Sequence, residues 1–453
     1  MLGLFGTYDV VVAGAGVTGV TAAISAGRAG ARTLLVEGTG FIGGNVTAGR
    51  LTKPTGTVDR GIFWEMMSRA SDLGGADISV QDAGWGEYRG IFDPEVLLRV
   101  ILQMLDEANV EVLLHAQVTD VIGPSPAKGI EVLVKSGRKI ILAGAIVDAS
   151  GDGDVAALAG ADFALGNIDG GHVQPMSCYL RMINVDTPQL ARYIRGNPDE
   201  FTSLVLPPLG GGNREDYTFR LLASGFISLI KKGRAEGKWT FPKSYLTVKT
   251  GLLPGEINLN ITRFQGDALD ERVLSRAEIE LRKQAYDAVD FCKSYLPGFE
   301  HAALLDVAPK LGVRETRRII GDYVLTGEDV KSGRSFPDSI GYARAPIDVH
   351  EAGGEGGGIV GVDGGYDVPY ASLLPKDVEG ILVAGRCMSV DEIAFGSTRN
   401  IPVCVLTGEA AGVAAAIAVQ TKSTPRSVDV GKIQSVLHQR GVALNRAETL
   451  DPA

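Results

Sequence analysis

Apolar residues near the start of the chain fall into two spacings that follow each other directly. Residues 9–13, Asp-Val-Val-Val-Ala, are a short β-branched run behind a charge, which predicts a strand buried on both faces. The Ala-rich segment 20–30 predicts a helix ending at Gly27 or Gly30. Residues 32–36, Arg-Thr-Leu-Leu-Val, predict a second strand, ended by Glu37. Residues 10–27 run without a charge and reach the lower range for a membrane span. Asp9 and Arg28 flank them and Gly14, Gly16 and Gly19 interrupt them, so a strand and a helix are expected and a span is not.

Further on, Asp93-Pro94-Glu95 reads as a helix start, followed by an apolar face of Leu97, Val100, Ile101, Met104 and Leu105. A strand over 110–115 precedes alternating residues 118–143, with turns at 124–129 and 136–137, which predict a β-meander. Ser275 and Glu278 form the pattern of a capping box, opening a helix that runs to about Ser294. Residues 257–262 read as a strand. Residues 378–387 read as a strand ending in Gly385-Arg386-Cys387. An Ala/Gly-rich helix covers 403–419, with Pro402 in its first turn. The tail has a short helical pattern at Ile433, Leu437 and Val442, expected to pack on the domain formed by the two ends of the chain.

Composition narrows the class. The chain has 453 residues, 45% hydrophobic and 22% charged, enough for a large folded core in more than one domain. Its 44 Lys+Arg against 54 Asp+Glu leave a net charge of −10, which argues against a nucleic-acid or anionic-membrane partner. Sixty glycines, against a usual share of ~7%, mark tight turns and close backbone approaches. Cys178, Cys292, Cys387 and Cys404 are far apart, so neither a disulfide framework nor a metal site is expected, and a cytoplasmic setting is. The opening residues lack the basic stretch of a signal peptide.

The chemistry begins at Gly14-Ala15-Gly16-Val17-Thr18-Gly19, a G-x-G-x-x-G turn between the predicted strand and helix. The first glycine allows the turn, the second lets backbone reach a pyrophosphate at a helix N-terminus, and the third lets helix and strand pack closely. Glu37 lies 23 residues after Gly14, where a carboxylate accepts from both hydroxyls of an adenosine ribose and repels a 2′-phosphate. A second glycine turn follows at once through Gly38, Gly43, Gly44 and Asn45.

Here the sequence resembles the FAD enzymes with a glutathione-reductase-like FAD domain. The resemblance implies that the second turn runs along the ribityl chain and beneath the flavin. It also implies that Ser150-Gly151 stands for the group's A-T-G turn, with Ser in place of Thr, and that Val118 contacts adenine through its backbone. Gly385, Arg386, Arg399, Asn400 and Ile401 would complete the FAD site, the helix N-terminus facing the flavin N1/C2=O edge. Arg386 departs from the pattern, since an acid usually stands there to bind the ribityl chain. Together with Gln174-Pro-Met176, the stretch 312–318 and Tyr366-Asp-Val-Pro-Tyr370, these residues resemble the FAD-dependent oxidoreductases related to succinate dehydrogenase and fumarate reductase flavoproteins. Those relatives often tether FAD through a histidine beside the second turn. Asn45 and Val46 occupy that place here, so the FAD is expected to be non-covalent; Cys387 is the one nucleophile in a flavin motif.

The expected fold is α/β. A Rossmann-like FAD-binding domain, with a parallel sheet and a β-meander crossover, comprises residues 1–165 and 346–453, and an α+β substrate domain is inserted over 166–345. Within the insertion Arg314, Arg317 and Arg318 share one face if that stretch is helical, and either clamp an anion or pair with acids. Arg263 is a further candidate facing the flavin. His350 precedes the stretch 353–365, which holds eight glycines and reads as a lid or a disordered loop. His350 and Tyr370 flank it as candidate acid–base groups, with Tyr366 beside them. The expected activity is hydride transfer between a small organic, possibly anionic, substrate and flavin N5. Oxidation of an alcohol or amine and reduction of an activated alkene, as in fumarate reductase, both fit. A non-catalytic flavin-binding or electron-relay protein is the alternative. O2, a quinone or a carrier protein would each serve as electron acceptor, and a homo-oligomer is compatible with the sequence.

Overall fold

The structure, a computed structural model, describes residues 3–82, 87–123, 125–167, 171–205, 221–350 and 357–449. Its first sheet has seven strands. Glu111–Leu113, Thr33–Val36, Gly3–Ala13 and Gly137–Asp148 lie side by side and parallel. The long strand Gly137–Asp148 carries two neighbours on its far side. Gly129–Val134 pairs antiparallel along its first half and leads on to Gln117–Ile122, while Ile381–Val383 pairs parallel at Ile146–Asp148. The meander expected from the alternation is therefore present, and the C-terminal third returns to the same sheet.

The apolar run at the start now has its reason. Val10 and Val12 enter one hydrophobic cluster and Val11 and Ala13 another, on opposite faces of the sheet. Helix Val17–Arg28 starts at once after Gly16, so Gly19 lies inside it. Helix Ile401–Gln420 packs across it so closely that a Cβ on Gly408 would meet the Thr18 carbonyl oxygen at 2.3 Å and one on Gly412 the Ala22 oxygen at 2.1 Å. Among the described residues, this long helix alone has the length and hydropathy of a membrane span, and its apolar window is wholly buried inside the fold. Helix Pro94–Glu107 starts as read: Asp93 accepts from the backbone N–H groups of Glu95 and Val96.

A second, antiparallel sheet runs in the order Ser203–Val205, Leu222–Gly225, Leu246–Thr250, Ile257–Leu259, Leu180–Ile183, Ala303–Val307. One face supplies Ala223, Leu246, Val248, Ile257, Leu259, Leu180 and Met182 to a core closed by helix Glu271–Tyr295. That helix begins earlier than the capping-box pattern implies. Asp270 is the N-cap, and Ser275 instead bonds back to the Glu271 carbonyl within the first turns. Ser339–Arg344 pairs with both Thr57–Val58 and Tyr366–Pro369. Ile340 and Ala343 on that strand share a cluster with Val10 and the long helix, as do Ile433, Leu437 and Val442 of the tail. His350 ends the strand Ile347–His350, which pairs with Gly357–Val360. Residues 353–356 of the glycine-rich stretch lie outside the described residues.

Candidate active site

The glycine turn has the geometry its spacing asks for. Gly14 sits at φ +96°, and a Cβ there would meet the Ala149 carbonyl oxygen at 2.5 Å. A Cβ on Gly19 would meet the Gly14 oxygen at 1.8 Å, which sets how closely helix and strand approach. At Gly16 nothing lies within 4 Å, and no side chain caps the helix that starts there. Open space at an uncapped helix N-terminus suits a phosphate. Glu37 ends its strand buried, taking the Ala15 N–H at 2.8 Å on one oxygen and the Thr39 N–H and hydroxyl on the other. The second turn folds back on the first: Gly43 donates to the Ala15 carbonyl at 2.8 Å, Gly44 lies against Gly16, and Asn45 opens onto a cavity. Gly38 abuts Gln117, the neighbour of Val118.

Ser150-Gly151 stands at the end of the long strand. The Ser150 hydroxyl donates to Asp148 at 2.7 Å and accepts the Asp154 N–H, so this turn is held by its own strand end. Gly385, at φ +74°, presses on Thr18, and Arg386 reaches across to Asp152 at 2.6 Å and Thr316 at 3.0 Å. Asn400 precedes helix Ile401–Gln420 without capping it; its amide instead holds the Pro346, Gly396 and Ser397 carbonyls. Asn45, Arg386, Arg399, Asn400 and Ile401 all line one cavity of 480 Å³ between the two sheets. Glycine turn, acid, second turn and uncapped helix thus fit an extended dinucleotide whose far end reaches this cavity.

The cavity is strongly basic. Lys53, Lys243, Lys249, Arg263, Arg314, Arg386 and Arg399 line it, and its one lining carboxylate among the described residues is Asp348. In a chain of net charge −10 this concentrates positive potential in one cleft. Burial, reinforced by Arg263 and Arg399, pushes the Arg314 guanidinium well below its ordinary value, and burial lowers Arg263. Burial also pushes Lys243 well down, with Arg263 and Arg314 adding to it. Its ammonium still donates to the Asn260 carbonyl at 2.9 Å and lies 4.1 Å from the Tyr245 ring centroid. Arg263 is held by Asn260 and the Thr262 carbonyl, and Arg314 by the Pro175 carbonyl.

One acid is set among these cations. Asp348 takes Arg399 at 3.0 Å on one oxygen, and its other oxygen stands 3.5 Å from Nε2 of His350. Burial opposes its ionisation, but His350 and Arg399 outweigh this and hold the carboxyl far below the usual carboxylate range. His350 is pushed down to about 3 by burial and by Arg314, against the pull of Asp348. Its Nδ1 is buried without a hydrogen-bond partner among the described residues. The ring is a neutral base lining a basic cavity.

The structure brings His350, Arg314 and Arg263 together and leaves other expected residues elsewhere. Tyr370 is in the core and gives its hydroxyl to the Pro425 carbonyl at 2.8 Å; Tyr366 is equally buried and bonds Ser397. Neither lines the cavity. The stretch after Gly312 is extended, with a strand at Arg317–Ile319, so the three arginines do not share a helical face. β-Branched Ile319 suits that strand, and β-branched Thr316 and Ile320 flank it. Arg317 turns to Asp154, Arg318 pairs with Glu315, and only Arg314 reaches the cavity. Cys387 is fully buried against the Asp148 and Ala384 carbonyls, its thiol pushed far up by burial.

Lys53, Lys243, Lys249 and Asp348 were not expected in the site. A signal exists for Lys249: Leu246, Val248 and Thr247, Lys249 alternate, so both polar residues share a sheet face. Nothing local marks the other three.

The family model described as FAD dependent oxidoreductase matches residues 9–437. Among curated proteins, none matches the sequence. Similar solved structures include a geranylgeranyl bacteriochlorophyll reductase-like protein from Thermoplasma acidophilum, at 14% identity over 96% of this chain and 84% of that one, TM-score 0.49. The OxyS anhydrotetracycline hydroxylase from Streptomyces rimosus is 13% identical over 98% and 68% of the two chains, TM-score 0.46. The p-nitrophenol 4-monooxygenase PnpA from Pseudomonas putida DLL-E4 is 12% identical over 99% and 91%, TM-score 0.46. The family match spans nearly the whole chain, which therefore belongs to the FAD-dependent oxidoreductases and uses FAD as its cofactor.

Proposed function

We propose that the enzyme moves a hydride between a carbon of a small organic anion and N5 of the flavin. The observation that carries this reading is the cavity itself, lined by seven lysine and arginine side chains and, among the described residues, one carboxylate that is already engaged. Arg314 and Arg263 orient the anion; a planar guanidinium matches a carboxylate in two parallel hydrogen bonds. Bound FAD supplies the two-electron chemistry, and the protein supplies position and charge. His350, held by Asp348 at Nε2, takes or gives a proton at Nδ1.

In this reading the Gly14–Gly19 turn, Glu37, Gly38, Gly43, Gly44 and Asn45 hold the cofactor with Val118, Ser150, Gly151, Gly385, Arg386 and residues 399–401. It is held non-covalently, since neither Asn45 nor Val46 forms a link. The antiparallel sheet is the substrate domain. The four cysteines, all buried free thiols, accord with a cytoplasmic setting. Kinship with the fumarate reductase flavoproteins, and with it reduction of an alkene activated by a carboxylate, is the second reading; the grouping of Arg263, Arg314 and Arg399 around one cavity favours it.

The test is anaerobic. Hydroxy and amino acids are mixed with the oxidised holoenzyme, and unsaturated acids with the dithionite-reduced one, while the flavin absorbance is followed. Bleaching by the first set, or return of colour with the second, supports the reading and gives its direction. Turnover only with uncharged compounds overturns it.

A further inference from the structure

Lys243 lines the cavity but has no part in the hydride and proton transfers above. It stands in the loop before strand Leu246–Thr250 and is 2% exposed. The backbone there is clamped: the Lys243 carbonyl accepts from Nε1 of Trp239 at 2.9 Å and from Arg234 at 3.1 Å. The side chain is held more lightly. Its one hydrogen bond among the described residues goes to the Asn260 carbonyl, and the Tyr245 ring covers it on another side. No carboxylate bonds it among the described residues. Asp348, whose charge draws it, is bound to Arg399.

A lysine is almost never fully buried without an acid beside it, because its ammonium loses its hydration. Here the neighbours add to that cost. Arg263 bonds the side-chain oxygen of the same Asn260 at 2.9 Å, and Arg314 adds its charge from the same cavity. Guanidiniums keep their protons, so the amine is the group that gives way. Desolvation beside other cations is what makes a lysine a nucleophile at neutral pH. A purely structural side chain has no use for this, since a methionine would fill the same space without the cost. The proton-carrying role in the cavity already belongs to His350, which leaves the lone pair of Lys243 for bond formation.

We infer that Lys243 is a covalent catalytic residue, condensing with the carbonyl of an α-oxo acid whose carboxylate lies on Arg263 and Arg314. The Nζ lone pair attacks the ketone carbon and the C–O bond breaks. Both amine hydrogens leave with the oxygen as water, so C=N replaces C=O with no electrons gained or lost. Hydrolysis of the imine returns the free amine. Protonation of the imine nitrogen, offset by the substrate carboxylate, draws electrons from the adjoining carbons. A C=C bond conjugated with the carbonyl then becomes the hydride acceptor. The substrate class is an α-oxo acid unsaturated next to its carbonyl, activated by the amine and not by a carboxylate. The inference rests on the anionic-substrate reading above and adds the covalent link.

Imine trapping tests it. Pyruvate is incubated with the FAD-loaded, unaltered protein at pH 7, cyanoborohydride is added, and the digested protein is mapped by mass spectrometry. One reduced pyruvyl group should sit on Lys243, at about ten-fold or more the occupancy of any exposed lysine, since exposed lysines are charged at that pH. Pyruvamide, the uncharged analogue, should label Lys243 far less. Pyruvate that shifts the flavin bands without labelling Lys243 above the exposed lysines overturns the covalent role and leaves the anionic reading in place. Equal labelling by pyruvate and pyruvamide overturns the arginine anchor and the reading it rests on, and pyruvate that neither binds nor labels overturns both.

Discussion

Asp348 stands 3.5 Å from Nε2 of His350 through one oxygen while the other holds Arg399 at 3.0 Å. The carboxylate thus fixes which ring nitrogen carries the proton and leaves Nδ1 as the basic atom. Asp348→Asn should lower the rate of flavin reduction or reoxidation by an active acid about 100–10,000-fold, the scale of losing an oriented acid–base group. Rapid-mixing absorbance, normalised to FAD content, measures it.

The same histidine gives the fold a pH dependence. Its ordinary value of 6.5 falls to about 3 in the native protein. Below pH 6.5 the unfolded chain takes up a proton that the folded protein refuses, so stability is full above 6.5 and declines as pH falls toward 3. The slope from one such group is at most about 1.4 kcal/mol per pH unit. Thermal unfolding across this range should show Tm falling with acid, and His350→Gln should flatten part of the fall.

Lys53 acts in the opposite range. Burial and Lys249 bring it from 10.5 down to about 7, so its charge opposes folding at neutral pH, and this cost fades as pH rises toward 10.5. Lys53→Met should raise Tm, most at or below pH 7 and least near 10.5. A gain in stability from removing a cavity residue is the expected signature of a group kept for binding.

Gly412 lets the long helix lie on the first one, with space for no Cβ beside the Ala22 carbonyl. Gly412→Ala should destabilise the protein by about 1–3 kcal/mol, the usual cost of overpacking. Because the displaced helix also carries Asn400 and Ile401 to the cavity, flavin content of the purified variant should fall as well.

The parts of the fold legible in sequence were those set by short spacing. The strand, glycine turn and helix of residues 9–30 depend on neighbours in the chain, and Gly14, Gly16 and Gly19 each have a local steric role. The helix at Asp93 and the meander were readable for the same reason. Arg314 was legible as a residue but not in its setting: helical spacing suggested a triad, whereas the extended backbone sends Arg317 and Arg318 to acids brought in by other segments. Tyr370 looked chemical because of its place beside the glycine-rich stretch, yet its partner is Pro425, 55 residues away. Lys53 and Lys249 line one cavity although they are far apart in the chain, a placement that no periodicity marks.

Charge selection at the flavin is the most direct consequence of the basic cavity. Difference spectra of the oxidised holoenzyme should be recorded during titration with an organic acid and, separately, with its uncharged amide of the same shape. The acid should give a saturable shift of the flavin bands, the amide little or none, and Arg314→Met should lose the acid's effect. Equal shifts from acid and amide, or an acid response that survives Arg314→Met, would contradict charge selection.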